Sequence, residues 1–194
     1  EFSQCGQNKK LKICSKQFGL GNKKKNAVSN INLNLYENEL TALLGHNGAG
    51  KTTLMNMITG LFKPSSGKIF INNFDIQTNP KKARNFLSFC PQHNILYDEL
   101  TAEEHLYIYE IDQVLKQLLL DSKRNEQTHS FSGGMKRKLN LAIALIGKSK
   151  ILILDEPTSG MDVQSRRFVW DVLLKEKRNR TILLTTHFIE DRSF

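Results

Sequence analysis

A short apolar run, Thr41-Ala42-Leu43-Leu44, leads straight into Gly45-His46-Asn47-Gly48-Ala49-Gly50-Lys51-Thr52, and a helical pattern follows as far as Gly60. Strand, glycine-rich turn and helix in immediate succession leave the chain few ways to fold. Gly45, Gly48 and Gly50 let the backbone curl so that amide N–H groups point inward. The helix opening at Lys51 adds the positive end of its dipole. The result is a cradle for concentrated negative charge, and the spacing G-x-x-x-x-G-K-[ST] fits a nucleoside triphosphate. Lys51 is expected to reach the β- and γ-phosphates and Thr52 to offer its hydroxyl to Mg²⁺.

Two further features sharpen this reading. Ile151-Leu152-Ile153-Leu154 is a buried strand delivering Asp155-Glu156 at its carboxyl end, where α/β proteins place their ligands. Asp155 is expected to hold Mg²⁺ and Glu156 to polarise an attacking water. Ser132-Gly133-Gly134-Met135 opens a strong helix, with Ser132 as its cap and several unpaired N–H groups, which makes a second anion site. Two such sites in one chain suggest that each nucleotide is shared between two chains.

Between these landmarks, Ile31, Leu33 and Leu35 alternate with Asn32 and Asn34, as in a half-buried strand. Leu11–Ile13, Lys68–Ile71, Phe86–Cys90 and Thr181–Thr185 are further strand candidates. Thr101 and Glu104 form a capping box, and helical pattern continues with breaks to about Asp121. Lys123–His129 is a polar linker, and Val163–Lys177 reads as helix. Continuous apolar strands alternating with helices predict a mostly parallel sheet covered on both faces.

Composition excludes little but excludes it firmly. With 39% hydrophobic and 24% charged residues in 194, the chain is globular and long enough for one real core. Its longest apolar runs fall short of the roughly 18 residues that span a bilayer. The net charge of +9 fits either an anionic partner, nucleic acid or membrane, or a lysine-rich solvated surface. The lysines are scattered without interleaved aromatics, so no specific nucleic acid is expected. Cys5, Cys14 and Cys90 have no metal spacing and read as free thiols of a reducing compartment.

Taken together, these motifs resemble the nucleotide-binding domain of an ABC transporter. Gly45–Thr52 matches Walker A, Phe131–Met135 the ABC signature, Ile151–Glu156 Walker B, Ser159-Gly160-Met161-Asp162 the D-loop, Gln92 the Q-loop glutamine and His187 the switch histidine. Cys90-Pro91-Gln92-His93-Asn94, Leu100–His105 and the run Ser132–Leu139 are most similar to the A subfamily, large transporters many of which move lipids.

The resemblance implies an α/β P-loop NTPase core with a small N-terminal antiparallel β part and a helical subdomain carrying the signature. Its core would take residues 1–91 and 140–194, and its helical subdomain about 92–139. ATP and Mg²⁺ are the implied cofactors. Gly45, Asn47, Gly48, Gly50, Lys51, Thr52 and Thr53 would hold the nucleotide, and Phe18 would stack on adenine unless it is a core phenylalanine. Thr52, Gln92 and Asp155 would hold the metal, and Glu156, His187 and Gln92 would serve hydrolysis. Ser132, Gly133, Gly134 and Met135 would contact the ATP of a second nucleotide-binding domain closed head to tail, and Asp162 would cross that interface. The remaining partners would be transmembrane domains, which places the chain on the cytoplasmic face of a membrane.

This sequence departs from the family pattern at Phe131 and Met135, in a shortened helical stretch between Gln92 and Ser132, and after His187, where further strands are usual. The chain is therefore expected to be incomplete at its C-terminus. Two alternatives stay open at this stage. One is a soluble ABC ATPase acting on ribosomes or chromosomes, against which the lack of sustained heptads between Lys51 and Ser132 counts. The other is a remnant that binds ATP without turnover.

Overall fold

A computed structural model describes residues 16–18, 25–106 and 111–187. Its centre is a four-stranded sheet in the order β3-β8-β7-β6, formed by β3 (Leu40–Leu44), β6 (Leu87–Cys90), β7 (Ile151–Asp155) and β8 (Thr181–Thr186). All three pairings are parallel, with Leu40 opposite Ile182, Leu87 opposite Ile151 and Ile151 opposite Thr181. β7 and β8 are buried along their whole length. Their continuous apolar runs follow from that position, since helices cover both faces of a parallel sheet.

The pleat divides these strands between two cores. Leu152, Leu154, Ile182 and Leu184 pack with Leu139, Leu145 and Trp170 from α5 (Gly133–Ile146) and α6 (Val163–Glu176). Ile151, Ile153 and Leu183 face the other way, onto Leu54, Met55 and Ile58 of α1 (Lys51–Ile58). Each such aliphatic side chain contributes about 1.5–3 kcal/mol when fully buried. The sheet thereby fixes the carboxyl ends of β3 and β7 on either side of that of β8, and Lys51, Glu156 and His187 follow closely on these ends.

Smaller elements flank this core. β1 (Lys16–Phe18) and β2 (Lys25–Val28) form an antiparallel pair. β4 (Phe70–Ile71) and β5 (Phe74–Asp75) form a hairpin across Asn72 and Asn73, both at positive φ (48° and 67°). Such a turn matches the twist of the strands it joins. α2 (Pro80–Arg84), α3 (Ala102–Leu106) and α4 (Ile111–Gln117) are short. The capping box ahead of α3 is formed as expected: Glu104 accepts from the Thr101 N–H at 2.7 Å, and the Thr101 hydroxyl accepts from the Glu104 N–H at 3.1 Å.

Some expectations need correction. Ile31–Leu35 alternates in burial as a half-buried strand would, yet it forms no ladder. An extended backbone alone produces alternation, whereas a strand also needs a partner, and none pairs with it among the described residues. The strand expected over Lys68–Ile71 shrinks to Phe70–Ile71, because the Asn72-Asn73 turn fixes a two-residue register. Cys90 is a free, buried thiol. Leu11–Ile13, Cys5 and Cys14 lie outside the described residues.

Candidate nucleotide site

The turn from β3 into α1 is shaped by its glycines. Gly50 caps α1 in the left-handed region at φ 91°. A side chain there would strike the β2 strand, since its Cβ would lie 2.2 Å from the Ala27 carbonyl oxygen. Only glycine allows β2 to approach so closely. Together the turn, α1's first residues and the Asn26–Ala27 backbone line a cavity of about 460 Å³, into which Gln92 and Glu156 also open. Thr52 and Thr53 contribute to the same wall.

Lys51 is buried at this floor. Its ammonium donates to the Gly45 carbonyl at 2.6 Å and the His46 carbonyl at 3.3 Å, and lies 3.4 Å from a Glu156 carboxylate oxygen. The other Glu156 oxygen is 2.8 Å from His187 Nδ1. An ionised carboxylate can only accept, so Nδ1 carries the hydrogen in that pairing. Lys51 at the start of α1, Glu156 just after β7 and His187 just after β8 thus form one chain of contacts.

Asp155 is buried beside them. Its carboxylate accepts from the Thr185 hydroxyl at 2.6 Å, and the same hydroxyl accepts from the Glu156 N–H at 2.8 Å. Glu156 itself has a φ of 51°, unusual for a residue other than glycine. Thr52 and Gln92, both expected metal ligands, line the cavity, whereas Asp155, 1% exposed, does not line it.

The Ser132–Met135 segment lies apart. Ser132 caps α5, its hydroxyl accepting from the Met135 N–H at 3.2 Å. Phe131 is buried in the core, which accounts for an aromatic there, and Met135 packs against the same core. Ser132 and Gly133 are exposed, and a Cβ at Gly133 or Gly134 would meet nothing within 4 Å. None of Ser132, Gly133, Gly134 or Met135 lines the cavity. Asp162 is exposed and caps α6, accepting from the Ser165 N–H at 2.9 Å. That bond holds its carboxyl below the usual carboxylate range. Phe18 belongs to β1, and its side chain lies outside the described residues.

Sequence reasoning overlooked Thr185, Asn140 and Arg137. Arg137 is buried, and its guanidinium donates to the carbonyls of Pro91, Gln92, Asp155, Glu156 and Pro157. No local pattern marks such residues, because their partners are far away in sequence.

The profile of the family described as ABC transporter matches residues 28–159. The chain belongs to the ABC transporter family. Within it, human phospholipid-transporting ATPase ABCA3 is 51% identical over 195 residues, covering 94% of this chain and 11% of that protein. Human ATP-binding cassette sub-family A member 2 is 49% identical over 181 residues, 87% of this chain and 7% of that protein. The chain therefore spans about a tenth of the length of the curated relatives it matches. Among solved structures, a dimeric post-hydrolysis state of the ATP-binding cassette MJ0796, bound to ADP and Pi, superposes with a TM-score of 0.83 at 28% identity. That superposition covers 94% of this chain and 89% of that one. The ABC fold, with its mostly parallel sheet and small antiparallel part, is the architecture described above.

Proposed function

We propose that this chain is the ATP-binding and ATP-hydrolysing domain of an A-subfamily ABC transporter, driving the movement of lipid across a membrane through nucleotide-dependent pairing of two such domains. The observation that carries the reading is the chain of contacts Lys51–Glu156–His187, of which Lys51 and Glu156 line the glycine-rich cavity. It sets a phosphate-binding cation beside a carboxylate fit to accept a proton. The lipid part rests on the similarity to phospholipid-transporting ATPase ABCA3.

In this reading the Gly45–Lys51 turn binds the β- and γ-phosphates, which compete with the Gly45 and His46 carbonyls for the Lys51 ammonium. Thr52, Gln92 and Asp155 would hold Mg²⁺, which supplies neutralisation of phosphate charge when bound. Glu156 accepts the proton of a water whose oxygen attacks the γ-phosphorus; the bond to the bridging oxygen breaks, giving ADP and inorganic phosphate. His187 orients that carboxylate through its 2.8 Å bond.

Ser132 and Gly134, away from the chain's own cavity with open space above Gly133 and Gly134, would meet the γ-phosphate held by a partner domain. Asp162 would sit at that interface. Ile95 and Tyr97, exposed beside Gln92, offer apolar surface to a transmembrane partner on the cytoplasmic side. Among the described residues no helix is long and apolar enough to cross a membrane.

The test is Mg²⁺-ATP hydrolysis by the purified chain over a range of protein concentrations, with Glu156→Gln beside it. We expect specific activity that rises with concentration and falls about 10²–10⁴-fold in the variant, while ATP binding is retained. Equal turnover by parent and variant would remove Glu156 as the base. Activity independent of concentration would remove the shared site.

A further inference from the structure

The helix that carries the Ser132-Gly133-Gly134 cap turns one polar row toward the segment after β6. Lys136 reaches the Asp98 carboxylate at 2.6 Å. Asn140 accepts from the Ile95 N–H at 3.1 Å and donates to the Asn94 side chain at 2.8 Å. Arg137 lies between them and is 3% exposed. Its Nη1 donates to the carbonyls of Pro91 and Gln92, at 2.5 Å and 3.0 Å. Its Nη2 donates to those of Asp155 and Glu156, at 2.6 Å and 2.8 Å, and its Nε to that of Pro157 at 3.2 Å.

Each of the five acceptors of Arg137 is a main-chain carbonyl. A buried cation is costly unless its donors are satisfied, and a packing role alone would be met by an apolar side chain. The guanidinium is a rigid planar fork of five donors, so the groups it binds are held at a fixed separation. Those groups come from two segments. One carries Gln92 and the other Glu156, and both side chains open onto the same cavity. The Glu156 backbone has a φ of 51°, a conformation that persists only when its surroundings hold it. Arg137 Nη2 grips the carbonyls on both sides of that residue's own N–H and Cα.

We propose that Arg137 is a positioning residue for ATP hydrolysis. Its guanidinium fixes the main chain of Gln92 against that of Glu156, so that amide and carboxylate address the attacking water together. It touches neither nucleotide nor water itself. The inference rests on the hydrolytic reading of the site given above.

The test uses Arg137→Lys and Arg137→Gln in the full chain, with the parent and Glu156→Gln measured alongside. Neither replacement can span both segments, since lysine is a point donor and the glutamine amide has one nitrogen. We expect KM for ATP within about twofold of the parent and kcat lower by about 10–100-fold, the scale of a displaced catalytic group. In the Glu156→Gln background the same replacements should cost a smaller fraction of the turnover, because one of the two groups they hold together, the carboxylate, is gone. Hydrogen exchange should rise together in peptides spanning 91–94 and 155–158 while that of α1 stays unchanged.

Parental kcat in both variants, an equal fractional loss in the Glu156→Gln background, or a rise in exchange confined to one segment would each overturn the proposal. Failure of both variants to fold would also overturn it, making Arg137 a requirement of the fold. If the parent itself shows no turnover, the hydrolytic reading falls, and the exchange data still decide whether Arg137 ties the two segments.

Discussion

Gly50 and Gly48 both sit at positive φ, 91° and 80°, yet they should respond differently to the same substitution. Gly48→Ala adds a methyl to open space, with nothing within 4 Å, so its cost is the left-handed backbone alone, about 1–2 kcal/mol. Gly50→Ala carries the same backbone cost and also brings its Cβ to 2.2 Å from the Ala27 carbonyl oxygen and 3.3 Å from Val28 Cγ2. A comfortable carbon–oxygen contact is about 3.3 Å or more. The β2 strand and the turn must therefore separate by about 1 Å, backbone against backbone, which no rotamer change relieves. Overpacking of this kind adds about 1–3 kcal/mol.

The gap between the two variants is then about 1–3 kcal/mol, or about 2–12 °C in Tm for a domain of this size. Ala27 and Gly50 line the same cavity, so the separation also pulls apart two walls of the candidate nucleotide site. The Kd for a fluorescent ATP analogue should be higher in Gly50→Ala than in Gly48→Ala. Differential scanning calorimetry and a titration on the same preparations measure both. Matching melting temperatures and matching affinities for the two variants would refute the claim that contact with β2, and not φ alone, demands glycine at position 50.

Two further substitutions probe groups beneath the cavity. Thr185→Val keeps the shape but removes the hydroxyl that bonds the Asp155 carboxylate and the Glu156 N–H; two buried polar groups left unpaired should cost about 2–6 kcal/mol. A calorimetric melt should fall by about 4–24 °C, and an unchanged melt would show that water or rotation replaces the lost bonds. Burial pushes the Cys90 thiol up to about 11 from 9.0, so the folded chain keeps its proton where the unfolded chain loses it. Its contribution to stability is present in full below about pH 9 and is lost as pH rises to about 11, about 2–3 kcal/mol in all. Urea titrations of the parent and Cys90→Ala across that range should show the parent losing more stability, and parallel pH profiles would contradict the assignment.

The features that were legible in the sequence are those whose cause lies within a few residues. The glycine-rich turn, the Ser132 cap with its bond to Met135, and the Thr101–Glu104 capping box each span one turn of backbone, and all three formed. The apolar run at Ile151–Leu154 announced its burial because a strand covered on both faces has no polar side to show. By contrast, Ile31–Leu35 carried a strand's alternation but pairs with no strand among the described residues, and a partner is a tertiary fact. The Asn72-Asn73 hairpin went unseen because asparagine tolerates the left-handed region without requiring it.

The site divides along the same line. The place of Lys51 and Thr52 at the opening of a helix could be read from spacing, since α1 begins there. Arg137 could not, because its acceptors stand 18 to 46 residues away and are carbonyls, which every residue possesses. The same holds for Thr185, 30 residues from the carboxylate it supports. A motif therefore names the groups that would touch the phosphates, while the groups that hold those in place are set by the order of strands in the sheet. β8 lies between β3 and β7, so a hydroxyl near its end meets the Walker B pair, and the histidine that follows meets Glu156 at the Lys51 ammonium. Strand order converts three separate stretches of sequence into one site, and a sequence pattern lists the stretches without their order.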